Sequence, residues 1–82
     1  MAINFDWVWT QEPDGRSRVR QVYRNGKSIG RVRRWPGLEP SEMTGEWFTA
    51  ELMKGALYES IEGRHATFKA ALKRIVMNGV AQ

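Results

Sequence analysis

The sequence predicts an α+β domain, an antiparallel sheet of five strands in hairpin order with one C-terminal helix packed on one face. Three observations lead there. Hairpin-type turn signals, Pro13-Asp14-Gly15, Asn25-Gly26 and Lys54-Gly55, punctuate runs rich in β-branched and aromatic residues. Phe68, Ala71, Leu72, Ile75 and Val76 recur at i, i+3, i+4, i+7 and i+8, a single apolar stripe at helical period. Finally, 82 residues hold one core rather than two, and a 41% hydrophobic content with four Trp, three Phe and two Tyr fills that core without a disulfide. The chain therefore reads as a single domain, residues 1–82.

In chain order, Ile3 to Thr10 is the first strand, followed by Ser17 to Arg24 and Lys27 to Trp35. Asn25-Gly26 suits the two φ > 0 positions of a type I′ turn, and Pro13-Asp14-Gly15 suits a three-residue loop with glycine in the left-handed position. A loop from Pro36 to Gly45, rich in Pro, Gly, Ser and Glu, leads to a last hairpin of Glu46 to Met53 and Ala56 to Ile61. Thr67 is placed to cap the helix, and Gly79 to end it.

Turn length sets register, and register sets faces. Counting outward from a two-residue Asn25-Gly26 turn pairs Arg24 with Lys27, Val22 with Ile29, Arg20 with Arg31 and Arg18 with Arg33, all on one side. A three-residue first loop then sets Phe5, Trp7 and Trp9 opposite Tyr23, Gln21 and Val19, on the other side with Val32 and the helix. A four-residue loop would move both Trp to the arginine side, so burial of aromatics favours the shorter one.

The net charge of +4 conceals segregation. Residues 1–15 carry −3, residues 16–34 carry +8, residues 35–63 carry −5, and the remainder +4. The predicted register gathers Arg18, Arg20, Arg24, Lys27, Arg31 and Arg33 into one basic sheet face. Like charges opposite one another destabilise strand pairs, so the arrangement needs a reason. One reading is a nucleic-acid phosphate backbone, with DNA favoured over RNA. Another is a solvated face neutralised locally by Asp6, Glu46 or Glu51. A third is that the same arginines meet an acidic protein, as in a small inhibitor or adaptor encoded by a phage.

The segment Gly45-Glu46-Trp47-Phe48-Thr49-Ala50-Glu51-Leu52, then Gly63 and Ala66-Thr67-Phe68-Lys69-Ala70-Ala71, resembles the strand, strand and helix pattern of AP2-type and phage-integrase arm-type DNA-binding domains. That likeness covers half of the chain and implies a sheet set in a DNA groove with the helix behind. Glu46, Glu51 and Glu59 stand where the AP2 pattern has cations, which moves any DNA contacts to the second and third strands. In size and composition the chain also resembles small accessory proteins of phages and other mobile elements.

No chemistry-bearing motif competes with a binding role. His65 is the lone histidine and there is no cysteine, so neither a zinc site nor a Cys or Ser nucleophile with its base is predicted. Gly-x-x-x-x-Gly-Lys-Ser/Thr and Gly-x-Gly-x-x-Gly are missing. The expectation is a non-enzymatic module with no metal and no cofactor. It is expected in the cytoplasm, with no membrane association, because no apolar run approaches the ~18 residues of a span and the start lacks a signal pattern. Trp35 and Trp47 remain open between packing and a stacking or anchoring role.

Overall fold

The computed structural model describes residues 3–36 and 46–80, the side chain of Val80 excepted. Its elements are β1 (Ile3–Phe5), β2 (Thr10–Gln11), β3 (Arg18–Arg24), β4 (Lys27–Trp35), β5 (Trp47–Lys54), β6 (Leu57–His65) and α1 (Phe68–Val80). All pairings are antiparallel, in the order β1-β3-β4-β5-β6, with β2 also on β3. The α+β class, the hairpin order and the single C-terminal helix are as expected. Most of the expected loop, residues 37–45, lies outside the described residues.

The expected first strand is two short ones. Phe5 pairs with Val22 and Thr10 with Val19, so five residue positions are spanned opposite three, and Asp6 to Trp9 leave the ladder. The loop that follows is one residue longer than expected. Glu12 N–H donates to the Ser17 carbonyl at 3.0 Å, leaving Pro13 to Arg16 as a four-residue connection. Asp14 organises it by accepting from the Arg16 and Ser17 amides at 2.8 and 2.9 Å and from the Ser17 hydroxyl at 2.7 Å.

In the second hairpin, Asn25 and Gly26 carry φ of 51° and 81°, as a two-residue type I′ turn requires. Arg24 pairs with Lys27 and Tyr23 with Ser28, but Val22 pairs with Gly30. Ile29 is an extra residue, a β-bulge; beyond it β4 keeps its expected facing, Val32 towards the helix and Arg31 and Arg33 away from it, while the side chains of β3, and Lys27 and Ile29 before the bulge, face opposite to expectation. This corrects the single basic face. Arg18 and Arg20 now share the helix side with Val22, Val32 and Arg34, whereas Arg31 and Arg33 lie on the uncovered side. Burial gives the reason: the bulge puts Val22 and Val32 together, both at 0% exposure, where the regular register would have sent Val22 among cations.

The core is Val22, Val32, Phe48, Ala50, Leu52, Ala71 and Ile75, with Phe5, Trp9, Ile29, Phe68 and Leu72 packed around it. Phe68 meets Phe5 and Trp9 edge-on, at ring-centroid distances of 4.9 and 5.7 Å. Val32, Phe5, Trp9, Phe68, Leu72 and Ile75 thus hold their expected places. Tyr23 and Val19 turn to the other face, and Trp7 is exposed.

Thr67 does cap the helix, its Oγ1 accepting from the Ala70 amide at 3.2 Å. Thr67→Ala should cost about 1 kcal/mol, read as a lower urea midpoint with unchanged slope. Gly79 does not end the helix, which continues to Val80.

Candidate functional site

Among the described residues one face of the sheet has no helix on it, and a cluster of polar and aromatic side chains converges there. Arg31 and Arg33 on β4 stand between two carboxylates, Glu12 from the edge and Glu51 from β5. Arg33 donates from Nε to Glu51 at 3.1 Å, from Nη2 to Glu12 at 3.0 Å, and from Nη1 to the buried Ser17 hydroxyl at 2.6 Å. Arg31 donates from Nε to Glu51, and its Nη1 lies 3.4 Å from Glu12. The network is well shielded, with side-chain exposures of 11% for Arg33 and 13% for Glu51. Burial opposes the charge on Arg33, and the carboxylates of Glu51 and Glu12 outweigh it, so its pKa is raised. Burial likewise opposes the charge on Glu51, and the two guanidiniums lower its pKa on balance. Two of the six predicted contact residues are therefore neutralised within the sheet. Glu51 was an expected counter-charge, whereas Glu12 stands just before the four-residue loop, where it reaches Arg31 and Arg33.

Around this lattice stand four aromatic rings. Tyr58 lies under the Arg31 guanidinium, 3.8 Å from ring centroid to Cζ, and its hydroxyl donates to Gln21 Oε1 at 2.9 Å. The Tyr23 hydroxyl donates to Asp6 at 3.1 Å, which raises the Tyr23 pKa. Asp6 thus serves a tyrosine rather than an arginine. At the far end Trp35 and Trp47, paired across β4 and β5, are stacked with centroids 5.2 Å apart and planes 12° from parallel. Trp35 Nε1 donates to Thr49 at 3.1 Å, the Arg33 guanidinium lies 5.7 Å from the Trp35 ring, and that of Arg64 lies 4.2 Å from the Trp47 ring. Both Trp rings are half-buried.

The other predicted contact residues lie elsewhere. Arg24 and Lys27 flank the Asn25-Gly26 turn and line an open groove with Ser28, Ile29 and Met53. Arg20 is sandwiched on the helix side, 4.6 Å from Trp9, 5.2 Å from Phe68 and 5.6 Å from Phe5. Arg18 is exposed on the same side, opposite Arg34, which is held by Glu46. The pairing of Trp35 with Trp47 and the place of Arg64 were not foreseen. The first needs the β4–β5 register, which is hidden behind the long connection, and the second needs the irregular end of β6, where Phe48 pairs with His65 but Ala50 with Ile61.

Among the described residues no three His, Cys, Asp or Glu side chains are grouped so as to hold a metal ion, and no helix is long and apolar enough to cross a membrane. Compared with family models, curated proteins and solved structures, the chain matches none, and nothing in those comparisons bears on the likeness to AP2-type or integrase arm-type domains.

Proposed function

We propose that the protein is a nucleic-acid-binding module that takes up single strands on the uncovered sheet face. The observation that carries the reading is the stacked Trp35–Trp47 pair, bordered by Arg33 and Arg64 at the end of a face that also presents Tyr58 under Arg31. Unstacked bases bind to such platforms through their π faces, and guanidiniums beside the rings add cation–π attraction and reach phosphates. A duplex hides those π faces in its own stack. With Arg31 and Arg33 already neutralised by Glu12 and Glu51, affinity comes from stacking more than from charge.

Anisotropy titrations with labelled mixed-sequence single-stranded DNA, single-stranded RNA and duplex, at two salt concentrations, test this. Single strands should bind more tightly than duplex, with a log–log salt slope shallower than about −2, corresponding to fewer than about three neutralised phosphates. Trp47→Ala should weaken binding roughly 5- to 150-fold, the loss of about 1–3 kcal/mol of stacking, and Arg64→Ala should weaken it further. Unchanged affinity in folded Trp47→Ala, or a preference for duplex with a steep salt slope, would remove this face as the site.

A further inference from the structure

We propose a second binding site on a different surface: the bulge at Trp7-Val8, which interrupts the edge strand, anchors an acidic segment of a partner protein. Trp7 is 86% exposed and Val8 72%, the two adjacent in the chain on the open edge of the sheet. A solvent-facing tryptophan forgoes the burial that dominates the energetics of this residue type, and tryptophan is among the commonest hot-spot residues of interfaces.

The backbone that presents it is held in place. Asp6 N–H donates to the Gln21 carbonyl at 3.0 Å, the Arg20 Nη2 donates to the Trp7 carbonyl at 3.0 Å, and the Trp7 ring sits 6.3 Å from that of Phe5. Arg20 is in turn fixed among three rings. An apolar anchor already ordered in the free protein loses little conformational entropy on docking.

Charge identifies the partner. The carboxylates of this edge are engaged elsewhere than at the anchor: Asp6 accepts from Tyr23 on the uncovered face, Glu12 faces Arg31 and Arg33, and Asp14 accepts from the Arg16 and Ser17 amides and the Ser17 hydroxyl. Arg16 and Arg18, both exposed, have no carboxylate partner among the described residues. By register Arg18 lies opposite Gln11, further along the edge that carries Trp7 and Val8, and an apolar projection on an edge that also bears Arg16 and Arg18 fits a segment bearing Asp or Glu next to large apolar side chains.

Selection of a displayed random dodecamer peptide library on the immobilised full chain tests the site without presuming a sequence. Enriched peptides should combine acids with large apolar residues. Trp7→Ala should weaken the best of them by at least about 30-fold, the size of a hot-spot truncation, without affecting folding because the ring is exposed. Arg18→Glu should weaken it as well, and high salt should act in the same direction. Trp47→Ala should leave peptide binding unchanged, which separates this site from the nucleic-acid face. No enrichment, or peptides that bind Trp7→Ala as well as the parent, would overturn the proposal. So would Trp7-dependent binding to equimolar phosphatidylglycerol–phosphatidylcholine vesicles, or to an oligonucleotide, that exceeds binding to the peptides.

Discussion

Gly30→Ala is expected to destabilise the protein more than any other single methyl addition in the sheet. Gly30 follows the β4 bulge and pairs with Val22 on one side and Leu52 on the other, directly beneath the helix. A Cβ at this position would overlap the Glu51 carbonyl oxygen and lie 3.1 Å from Ile75 Cγ2. The Ile75 methyl can turn aside, but the carbonyl oxygen is backbone of the adjacent strand. Relief therefore requires β4 and β5 to separate. Overpacking ordinarily costs about 1–3 kcal/mol, and a backbone clash places this case at or above the upper end. For a domain whose total stability is of the order of 5–15 kcal/mol, that is a fall in midpoint visible in a single urea titration. Adding Ile75→Ala, which removes Cγ2, should not reduce the cost of the Gly30→Ala step. A double-mutant cycle showing recovery would mean that the side chain, not the carbonyl oxygen, is the obstacle.

The second large effect is expected at Glu51. Replacing it with Gln leaves Arg31 and Arg33 with Glu12 as their one shared carboxylate, and Arg33 is the more deeply placed of the two. Removing one partner of a buried ion pair costs about 3–5 kcal/mol, and residual exposures of 11–20% put this network towards the lower figure. The same carboxylate makes stability depend on pH. The Glu51 pKa is lowered on folding from its ordinary 4.5, because hydrogen bonds from Arg33 and Arg31 outweigh desolvation. A depressed carboxylate contributes stability that is fully present above its unfolded pKa and is lost as pH falls through the folded one. Asp14 acts in the same sense, drawn from 3.8 down to about 2 by the Ser17 and Arg16 amides and the Ser17 hydroxyl. The thermal midpoint should accordingly be flat above about pH 5 and decline from there towards pH 2. Glu51→Gln should lower the plateau and make the decline shallower. An unaltered acid limb in that variant would show that Glu51 is not what couples folding to protons.

Hairpin signals, helix period and the Thr67 cap were legible because each is a local contest between a few residues and one backbone conformation. The faces of the sheet were not, because they depend on counting across turns, and one residue reverses the outcome. Two such residues were hidden. Nothing in Ser28-Ile29-Gly30 announces a bulge except the glycine, whose reason is the close approach of Glu51 and Ile75. The fourth loop residue follows from Asp14, whose carboxylate spans the Arg16 and Ser17 amides, an Asx pattern that the Pro-Asp-Gly turn signal obscured. The candidate site was therefore legible in its residue types but not in its assembly. Arg31 and Arg33 were singled out as phosphate contacts, and the structure turns them towards Glu12 and Glu51.

The bulge also changes what an insertion or deletion in this strand means. From the Asn25-Gly26 turn to Ile29 the helix-facing residues of β4 are Lys27 and Ile29; from Gly30 onward they are Gly30, Val32 and Arg34. In genetic terms Ile29 is an insertion absorbed where it occurs. Deleting it would restore an unbroken hairpin and leave Val22 opposite Gly30, Arg20 opposite Val32 and Arg31 opposite Glu51, at the loss of one partly buried side chain. Deleting a residue a few positions later, between Gly30 and Trp35, would exchange the contents of the two faces and drive arginines beneath the helix.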